Sequence, residues 1–261
     1  MTRIAFVERE VELPGGALVV RTAGQGHPII HLHSAGGPRV SPVLAALSQR
    51  YRVLAPIAPG FAGTQRPASV ASIRDYADLL AQYIERDAGG SADVIGESFG
   101  GWVALWLAAR HPGRVSQMVL EAPAGLRPQG TPDAPLHAEE RRRKLYAFPE
   151  RAPADAREPH ILAGDLEAIA RYRNDVAFDH DLAEALGAIN ARTLILMGAQ
   201  DELIPPETGR LLKSRLPHAH LTYVFEAGHA LEIDQPDRVF RIIVDFLDRG
   251  ESFLVKAASG G

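Results

Sequence analysis

A serine flanked by glycines carries the clearest chemical signal in this chain. Residues 96–101 read Gly-Glu-Ser-Phe-Gly-Gly and lie between an apolar run and a helical pattern. This G-x-S-x-G pattern exposes the hydroxyl of Ser98 on a sharp turn, where larger side chains two residues away would collide. It predicts that Ser98 is an activated nucleophile and that the Phe99 amide, at the helix start, stabilises a developing oxyanion. The alternative is a glycine-rich turn with a capping serine.

The elements that position this serine follow a regular alternation of strands and helices. Strands are predicted at residues 7–13, 18–22, 28–33, 52–55, 92–96, 115–121, 193–197 and 221–225. Helices are predicted at residues 43–49, 72–86, 98–111, 138–148, 166–173, 207–216 and 236–248. Such alternation implies parallel strands joined by crossover helices. We therefore predict an α/β fold with a doubly wound, mostly parallel sheet of about eight strands and helices on both faces.

Nearly the whole chain resembles the α/β-hydrolase family, in which a serine, an acid and a histidine follow in that order. The resemblance implies an acid after a late strand and a histidine before the last helix. Asp201 follows the predicted strand at residues 193–197, and His229 follows the strand at residues 221–225. Because the carboxyl ends of parallel strands lie at one edge of the sheet, we expect these residues to form a catalytic triad with Ser98.

Each member of this triad has a distinct chemical role. His229 would accept the proton of Ser98 and return one to the leaving group. Asp201 would hold the imidazole in one tautomer and stabilise the imidazolium. Asp201 could instead be a turn residue, with the neighbouring Glu202 as the acid. Asp234, at a position that is usually acidic in the family, is assigned a structural role.

The loop after the third predicted strand departs from the family pattern. Residues 33–38 read His-Ser-Ala-Gly-Gly-Pro, so Ser34 stands where the family usually has glycine. The resemblance implies that this loop supplies the second oxyanion amide. Ala35 is the predicted donor, and Gly36 is the alternative.

The loop after the fourth predicted strand departs as well. Residues 55–64 read Ala-Pro-Ile-Ala-Pro-Gly-Phe-Ala-Gly-Thr, where the family commonly shows D-x-P-G-x-G-x-S. Ile57 replaces the common aspartate, and Ala62 is an added residue. We expect this change to alter packing near the mouth of the site.

The alternation stops in the middle of the chain, where proline, alanine, arginine and glutamate dominate. The predicted division is an α/β-hydrolase core at residues 1–123 and 188–250, a helical cap at 124–187 and a tail at 251–261. The resemblance implies that the cap covers the nucleophile and shapes the pocket.

The predicted cap holds candidate substrate contacts and a basic run. Leu145, Tyr146 and Phe148 are predicted to line the pocket together with Gly36, although the three cap residues could equally form the cap's own core. The run at residues 141–144 favours a solvated helix face over an anion site, because acidic residues precede it. Trp102 and Trp106, four residues apart on one helix, are expected to pack that helix rather than contact a ligand.

The composition excludes several classes of protein. The chain has 261 residues, no cysteine and a net charge of −4. It therefore has no disulfide or thiolate nucleophile, and its mild acidity gives no reason to bind nucleic acid or an anionic membrane. No apolar run approaches a membrane span, and the N-terminal pattern is that of a strand rather than a signal peptide. We expect a cytoplasmic monomer or homodimer that acts on a small molecule without a cofactor or metal.

A serine nucleophile leaves several functions open. Ester or lactone hydrolysis through an acyl-enzyme on Ser98 is the leading hypothesis. Hydrolysis of a carbon–carbon bond in a diketone-type substrate is the enzymatic alternative. A ligand-binding or receptor protein that keeps the triad without turnover is the alternative from another class. The triad does not specify the acyl group, so the substrate stays open.

Overall fold

A computed structural model describes residues 5–128, 138–154 and 157–250. The strands are β1 (Val7–Leu13), β2 (Gly16–Ala23), β3 (Pro28–Leu32), β4 (Arg52–Pro56), β5 (Ala92–Glu97), β6 (Val115–Glu121), β7 (Arg192–Gly198) and β8 (Ala219–Val224). The α-helices are α1 (Pro42–Leu47), α2 (Ile73–Asp87), α3 (Phe99–Arg110), α4 (Ala138–Leu145), α5 (Pro159–Arg173), α6 (His180–Ala185), α7 (Pro206–Arg215), α8 (Leu231–Asp234) and α9 (Pro236–Arg249). Short 3-10 turns occur at Pro112–Arg114, Pro149–Arg151 and Leu186–Ala188.

All eight strands belong to one sheet, in the order β1-β2-β4-β3-β5-β6-β7-β8. β1 and β2 form an antiparallel hairpin, and β2 is also antiparallel to β4. Every later pair is parallel. The doubly wound, mostly parallel sheet predicted from the sequence is thus confirmed. Its topology brings the carboxyl ends of β3, β5, β6 and β7 side by side, where the loops that follow them can build a site.

Two apolar layers cover the two faces of the sheet. Side chains of α2, α3 and α7 form one layer, and side chains of α1 and α9 form the other. Helix α2 begins with a capping box, because Ser72 accepts from the Asp75 amide and Asp75 accepts from the Ser72 amide. Within the described ranges, no helix combines the length and the apolar character needed to cross a bilayer.

Two predicted helices between β6 and β7 have different bounds from those expected. The helix predicted at residues 138–148 ends at Leu145, because the backbone beyond it bonds to the loop after β8. The Leu145 carbonyl accepts from the Ala230 amide, and the Ala147 amide donates to the Asp234 carboxylate. The helix predicted at residues 166–173 starts earlier, since a proline in the first turn of α5 has no amide that needs a partner.

Helix α6 was not predicted from the sequence. The helix has only six residues, which are too few to show a helical pattern of apolar residues after its N-terminal cap, Asp179. The proposed cap at residues 124–187 therefore carries three described helices, and its limits stay a prediction. The predicted tail at residues 251–261 lies outside the described part of the chain.

Asp179 connects this inserted segment to the helix that follows Ser98. One carboxylate oxygen accepts from the indole N–H of Trp102 at 3.0 Å and from that of Trp106 at 2.8 Å. The other oxygen accepts from the Leu182 amide at 3.1 Å. Trp102, Trp106 and Leu182, which donate these hydrogen bonds, are buried, and the guanidinium of the partly exposed Arg74 lies 4.0 Å from the carboxylate. The two tryptophans therefore pack α3 against α6, in line with the packing role expected of them.

We expect Asp179→Ala to destabilise the protein, because it leaves two buried indole donors and one helix cap without an acceptor. Each lost buried partner costs about 1–3 kcal/mol, and a lost cap costs about 1 kcal/mol. Urea unfolding should therefore show a loss of about 3 kcal/mol or more. Asp181→Ala, in the first turn of the same helix but 68% exposed, is the matched control. Equal stabilities of the two variants would contradict this role of Asp179.

Candidate active site

The turn between β5 and α3 holds Ser98 in a strained backbone conformation. Its φ is 51° and its ψ is −108°, a region that residues with a side chain rarely adopt. A Cβ on Gly96 would lie 2.6 Å from the carbonyl oxygen of Gly100. A Cβ on Gly100 would overlap the carbonyl of Leu32 in β3. Both glycines of the motif are therefore required, because α3 starts directly against two strands.

The structure brings the three predicted triad residues together from separate loops. His229 Nε2 lies 2.9 Å from Ser98 Oγ, and His229 Nδ1 lies 2.9 Å from Asp201 Oδ2. The side chains of His229 and Asp201 are almost fully buried. With Nδ1–H donating to the carboxylate, Nε2 presents its lone pair to the serine hydroxyl. This geometry is that of a serine activated by a general base.

The loop after β7 holds the acid in a rigid turn. Asp201 Oδ1 accepts from the Leu203 amide at 2.8 Å and from the Ile204 amide at 2.9 Å. The second carboxylate oxygen is left for His229. Glu202 is exposed. The contact to the histidine thus comes from Asp201 and not from the neighbouring acid that the sequence left open.

The loop that carries the histidine is fixed from behind by Asp234. Its Oδ2 accepts from the Gly228 amide at 2.8 Å and from the Ala147 amide at 2.9 Å. Asp234 lies on α8 and is buried. It therefore has the structural position that the sequence assigned to it, and it also ties the segment after α4 to the His229 loop.

Burial and three neighbouring charged groups determine the proton affinity of His229. Burial and the charge of Arg127 act to lower its pKa, whereas the carboxylates of Asp201 and Glu97 raise it, and the pKa ends above its ordinary value. A stronger base accepts the serine proton more readily. It is neutral only above its own pKa, so the site needs a pH above that value.

The predicted oxyanion loop forms a turn at the edge of the site. The Gly37 amide donates to the Ser34 carbonyl at 3.1 Å, with Ala35 and Gly36 exposed at the tip. The Gly36 amide faces Ser34 Oγ at 3.4 Å. The Phe99 amide is the first of α3 and has no partner within that helix. Ala35 and Phe99 stay the predicted oxyanion donors, with Ala35 preferred because the Gly36 amide already has an acceptor.

His33 joins this turn to the loop after β4. Its Nδ1 lies 2.7 Å from the Ser34 carbonyl, and its Nε2 lies 3.0 Å from the Ala58 amide. A carbonyl needs a donor and an amide needs an acceptor, so the ring is the neutral Nδ1–H tautomer. Burial lowers the pKa of His33 to about 4. The histidine of this loop therefore acts as an uncharged cross-link.

The candidate substrate contacts on the inserted segment have other partners. The ring of Phe148 carries the guanidinium of Arg151 4.0 Å above it. The backbone of Leu145 and Tyr146 lies against the His229 loop, since a Cβ on Gly228 would be 3.0 Å from atoms of both residues. All three predicted contacts are partly exposed. Their contact with a substrate stays a prediction, and Gly36 lies at the oxyanion turn.

The basic run on α4 faces outward. Arg141, Arg142 and Arg143 are exposed, and Arg142 donates to the Pro149 carbonyl through both Nε and Nη2. Lys144 Nζ lies 3.4 Å from a Glu140 carboxylate oxygen one turn away. These contacts are those of a solvated helix face with local pairing.

Sequence reasoning missed an aromatic wall beside the nucleophile. The ring of Phe99 lies 5.8 Å from that of Phe61 and 5.3 Å from that of Tyr172, measured between centroids. The Tyr172 hydroxyl donates to the Pro59 carbonyl at 3.0 Å. Phe61 lies in the loop after β4, and Tyr172 lies on α5. No sequence motif links either residue to the site, and only their packing against Phe99 places them there.

Sequence reasoning also missed a buried cluster of ionisable side chains behind Ser98. Glu97 and Glu121 are register partners on adjacent strands, and both oxygens of the fully buried Glu121 lack a hydrogen-bond partner among the described residues. His31 Nε2 lies 3.7 Å from a carboxylate oxygen of Glu232. Burial and the neighbouring carboxylates raise the pKa of Glu121 well above its ordinary value, which favours its neutral form. Glu97 and Glu121 are the last residues of two adjacent parallel strands, and this pairing is the signal from which their proximity could have been predicted.

Together, the strained serine, its hydrogen-bonded histidine and the buried acid on a parallel sheet define a serine hydrolase. The model of the Alpha/beta hydrolase family matches residues 29–242, and the chain belongs to this family.

Similar proteins cover almost the whole chain. The 2-hydroxymuconate semialdehyde hydrolase of Pseudomonas sp. strain CF600 is 30% identical over 275 residues, which cover 94% of this chain and 95% of the relative. The poly(3-hydroxyalkanoate) depolymerase of Ectopseudomonas oleovorans is 29% identical, covering 98% and 99%. The structure of a meta-cleavage product hydrolase from Pseudomonas fluorescens IP01 aligns with a TM-score of 0.76 at 23% identity, covering 92% and 97%. This structure supports the fold.

Asp201→Asn should both slow catalysis and move its pH dependence. Removing the carboxylate takes away a charge that raises the pKa of His229, so the acidic limb of kcat/KM should shift to lower pH. Loss of the correct tautomer should lower kcat by about 10⁴, as in serine proteases. The pH profile of aryl ester hydrolysis measures both effects. Glu202→Gln is the matched control, and an equal loss in that variant would contradict the assignment.

The cross-link through His33 should make stability fall as the pH falls. The folded pKa is about 4 against about 6.5 in the unfolded chain, so the unfolded state binds more protons between these values. The contribution of His33 to the free energy of unfolding reaches its full value above about pH 6.5. At pH 5 that free energy should be lower by about 2 kcal/mol. Urea unfolding at pH 7 and pH 5 should show a smaller loss in His33→Gln. Parallel losses in both proteins would refute the linkage.

Proposed function

We propose that this hydrolase cleaves a carbon–carbon bond next to a ketone or aldehyde carbonyl in a conjugated dienoate, through an acyl-enzyme on Ser98. The observation that carries this proposal is the 30% identity, over 94% of the chain, to a 2-hydroxymuconate semialdehyde hydrolase. The triad geometry supplies the nucleophile and base that such a reaction needs. The ester hydrolysis favoured by the sequence alone becomes the second candidate.

The chemistry uses the same groups as ester hydrolysis until the bond breaks. Ser98 Oγ forms a bond to the carbonyl carbon while His229 Nε2 takes the proton, and the amides of Phe99 and Ala35 stabilise the oxyanion. Before the bond breaks, the enol proton of the substrate moves to the carbon next to the attacked carbonyl, which gives the diketo tautomer. Collapse then breaks the carbon–carbon bond, and its electron pair leaves on a carbon conjugated to the second carbonyl. The proton on His229 is delivered to this carbanion. Water then attacks the acyl-enzyme with His229 as base and releases Ser98.

The surroundings of the triad suit a substrate with a carboxylate. The aromatic wall of Phe61, Phe99 and Tyr172 packs next to the nucleophile and is itself almost fully buried. Arg127 is partly buried and donates to the Leu203 carbonyl at 2.7 Å, in the loop that carries the acid. A fixed positive charge at this end of the site favours a substrate with a carboxylate.

Ester hydrolysis is the second candidate. The poly(3-hydroxyalkanoate) depolymerase that is 29% identical to this chain is named for cleavage of a polyester. An ester needs only an alkoxide leaving group, which the triad can protonate without a conjugated acceptor. The two reactions therefore share the first step and differ in what leaves.

Competing substrates should separate these candidates. We expect kcat/KM for 2-hydroxymuconate semialdehyde to exceed that for p-nitrophenyl acetate by at least about tenfold, a difference of about 1.4 kcal/mol in transition-state binding. Loss of dienol absorbance and release of nitrophenol report the two rates. Ser98→Ala should abolish both. A ratio inverted in favour of the ester would support the second candidate.

Labelling with a fluorophosphonate distinguishes both enzymatic candidates from a ligand-binding or receptor protein that keeps the triad without turnover. Covalent labelling of Ser98, located by mass spectrometry, with no turnover of either substrate would contradict the proposal and favour the receptor function. Absence of labelling would overturn the serine mechanism itself.

A further inference from the structure

A buried aspartate on the inserted helix α5 binds one loop of the site directly and is linked to a second loop through an arginine. Asp165 is 3% exposed, and its Oδ1 accepts from the Ala62 amide at 2.7 Å. Its Oδ2 accepts from Arg157 Nη1 at 2.6 Å. Ala62 is the residue added to the loop after β4, and its φ of 51° needs outside support. The added residue and the aspartate thus form one unit.

The arginine of this pair reaches the oxyanion turn. Arg157 Nη1 also donates to the Gly36 carbonyl at 2.6 Å. A Cβ on Gly37 would lie 2.8 Å from both Arg157 Nη1 and Asp165 Oδ2. The second glycine of the turn therefore permits the charged pair to approach the backbone. Charge-assisted hydrogen bonds of this kind are the stronger ones in proteins.

The far end of the same helix contacts the other predicted oxyanion residue. Tyr172, near the C-terminus of α5, packs its ring 5.3 Å from that of Phe99 and binds the Pro59 carbonyl through its hydroxyl. One helix thus supports both sides of the oxyanion hole. The Phe99 side is also fixed by α3 and the sheet. The side formed by Ala35 and Gly36 is exposed and has no such core packing.

We propose that Asp165 and Arg157 are positioning residues that hold the oxyanion turn where the Ala35 amide can meet the developing charge. An oxyanion donor must lie about 2.7–3.1 Å from the place that the oxyanion will occupy. The pair fixes the tip of this turn through the hydrogen bond from Arg157 to the carbonyl of Gly36. The inference rests on the proposed acyl-enzyme mechanism and assigns a catalytic consequence to the inserted segment.

The rate of Ser98 phosphonylation tests this role without depending on the natural substrate. We expect Asp165→Asn and Arg157→Gln to lower the second-order rate with a fluorophosphonate by about 10–100-fold, less than the full loss of a donor. Arg157→Lys should recover part of this loss, because an ammonium can still bridge the two oxygens. With p-nitrophenyl acetate, kcat should fall while KM stays within about twofold.

A matched control lies two residues along the same helix. Glu167→Gln removes an exposed ion pair with Arg171 and should leave the phosphonylation rate unchanged. Thermal unfolding of every variant reports whether the fold is intact. Rates of Asp165→Asn and Arg157→Gln equal to wild type would overturn the inference. A rise in KM at unchanged kcat would overturn it too, since it would indicate a binding role.

The outcomes distinguish this inference from the proposed function. Wild-type labelling with a slow Asp165→Asn supports the positioning role even if 2-hydroxymuconate semialdehyde is not cleaved, and only the proposed substrate then fails. Wild-type labelling with unchanged variants rejects the positioning role alone. Absence of wild-type labelling rejects both, because no oxyanion would form at Ser98.

Discussion

The close approach of helix α3 to strands β3 and β5 is the constraint on which the site depends. At this point the chain turns from strand to helix within one residue, and Ser98 takes a φ of 51°. Such a conformation costs free energy and persists only where its surroundings enforce it. Here the enforcement is steric, because side chains at Gly96 and Gly100 would collide with the backbone of the facing helix and strand. The strain keeps the hydroxyl raised above the sheet edge.

The partners of the serine are held by short-range hydrogen bonds rather than by bulk packing. The acid sits in a turn made by its own two following amides, and the histidine loop is fixed by the carboxylate of Asp234. In this arrangement Asp201 Oδ2 is left to accept from His229, and His229 Nε2 is left to accept from the hydroxyl of Ser98. The inserted segment adds further contacts: among them, Asp179 accepts from α3, Ala147 donates to Asp234 behind the histidine loop, and Arg157 donates to the oxyanion turn. It is therefore part of the scaffold of the site.

Charge is distributed unevenly around the nucleophile. Arg127 lies at the acid loop, whereas His31, Glu97 and Glu121 on strands β3, β5 and β6 meet Glu232 of α8 in the buried cluster. Burial and the carboxylate of Glu232 raise the pKa of Glu97. A carboxylate at Glu97 in turn raises the pKa of His229. The buried cluster and the catalytic base are thus electrostatically linked.

The sequence by itself predicted the sheet, the serine on the sharp turn and the chain order of the three residues that the structure brings together. These features follow from local patterns: alternating apolar runs, glycines two residues from Ser98, and a polar residue just after a strand end. The choice of Asp201 over Glu202 needed the structure, because both follow the same strand and only one side chain points to His229. The ends of α4 and α5 also escaped prediction, since contacts with other loops set the first and a single proline set the second.

The tertiary structure alone decided what surrounds the triad. Asp165 meets Ala62 across 103 residues and Arg157 meets Gly36 across 121 residues. No period or motif links such pairs in the sequence, because their contact depends on how the inserted segment lies over the sheet. The aromatic wall is of the same kind, since Phe61 and Tyr172 become part of the site only by packing on Phe99. Local sequence patterns identify the candidate reacting groups, whereas contacts between residues far apart in the chain determine which side chains hold and surround them.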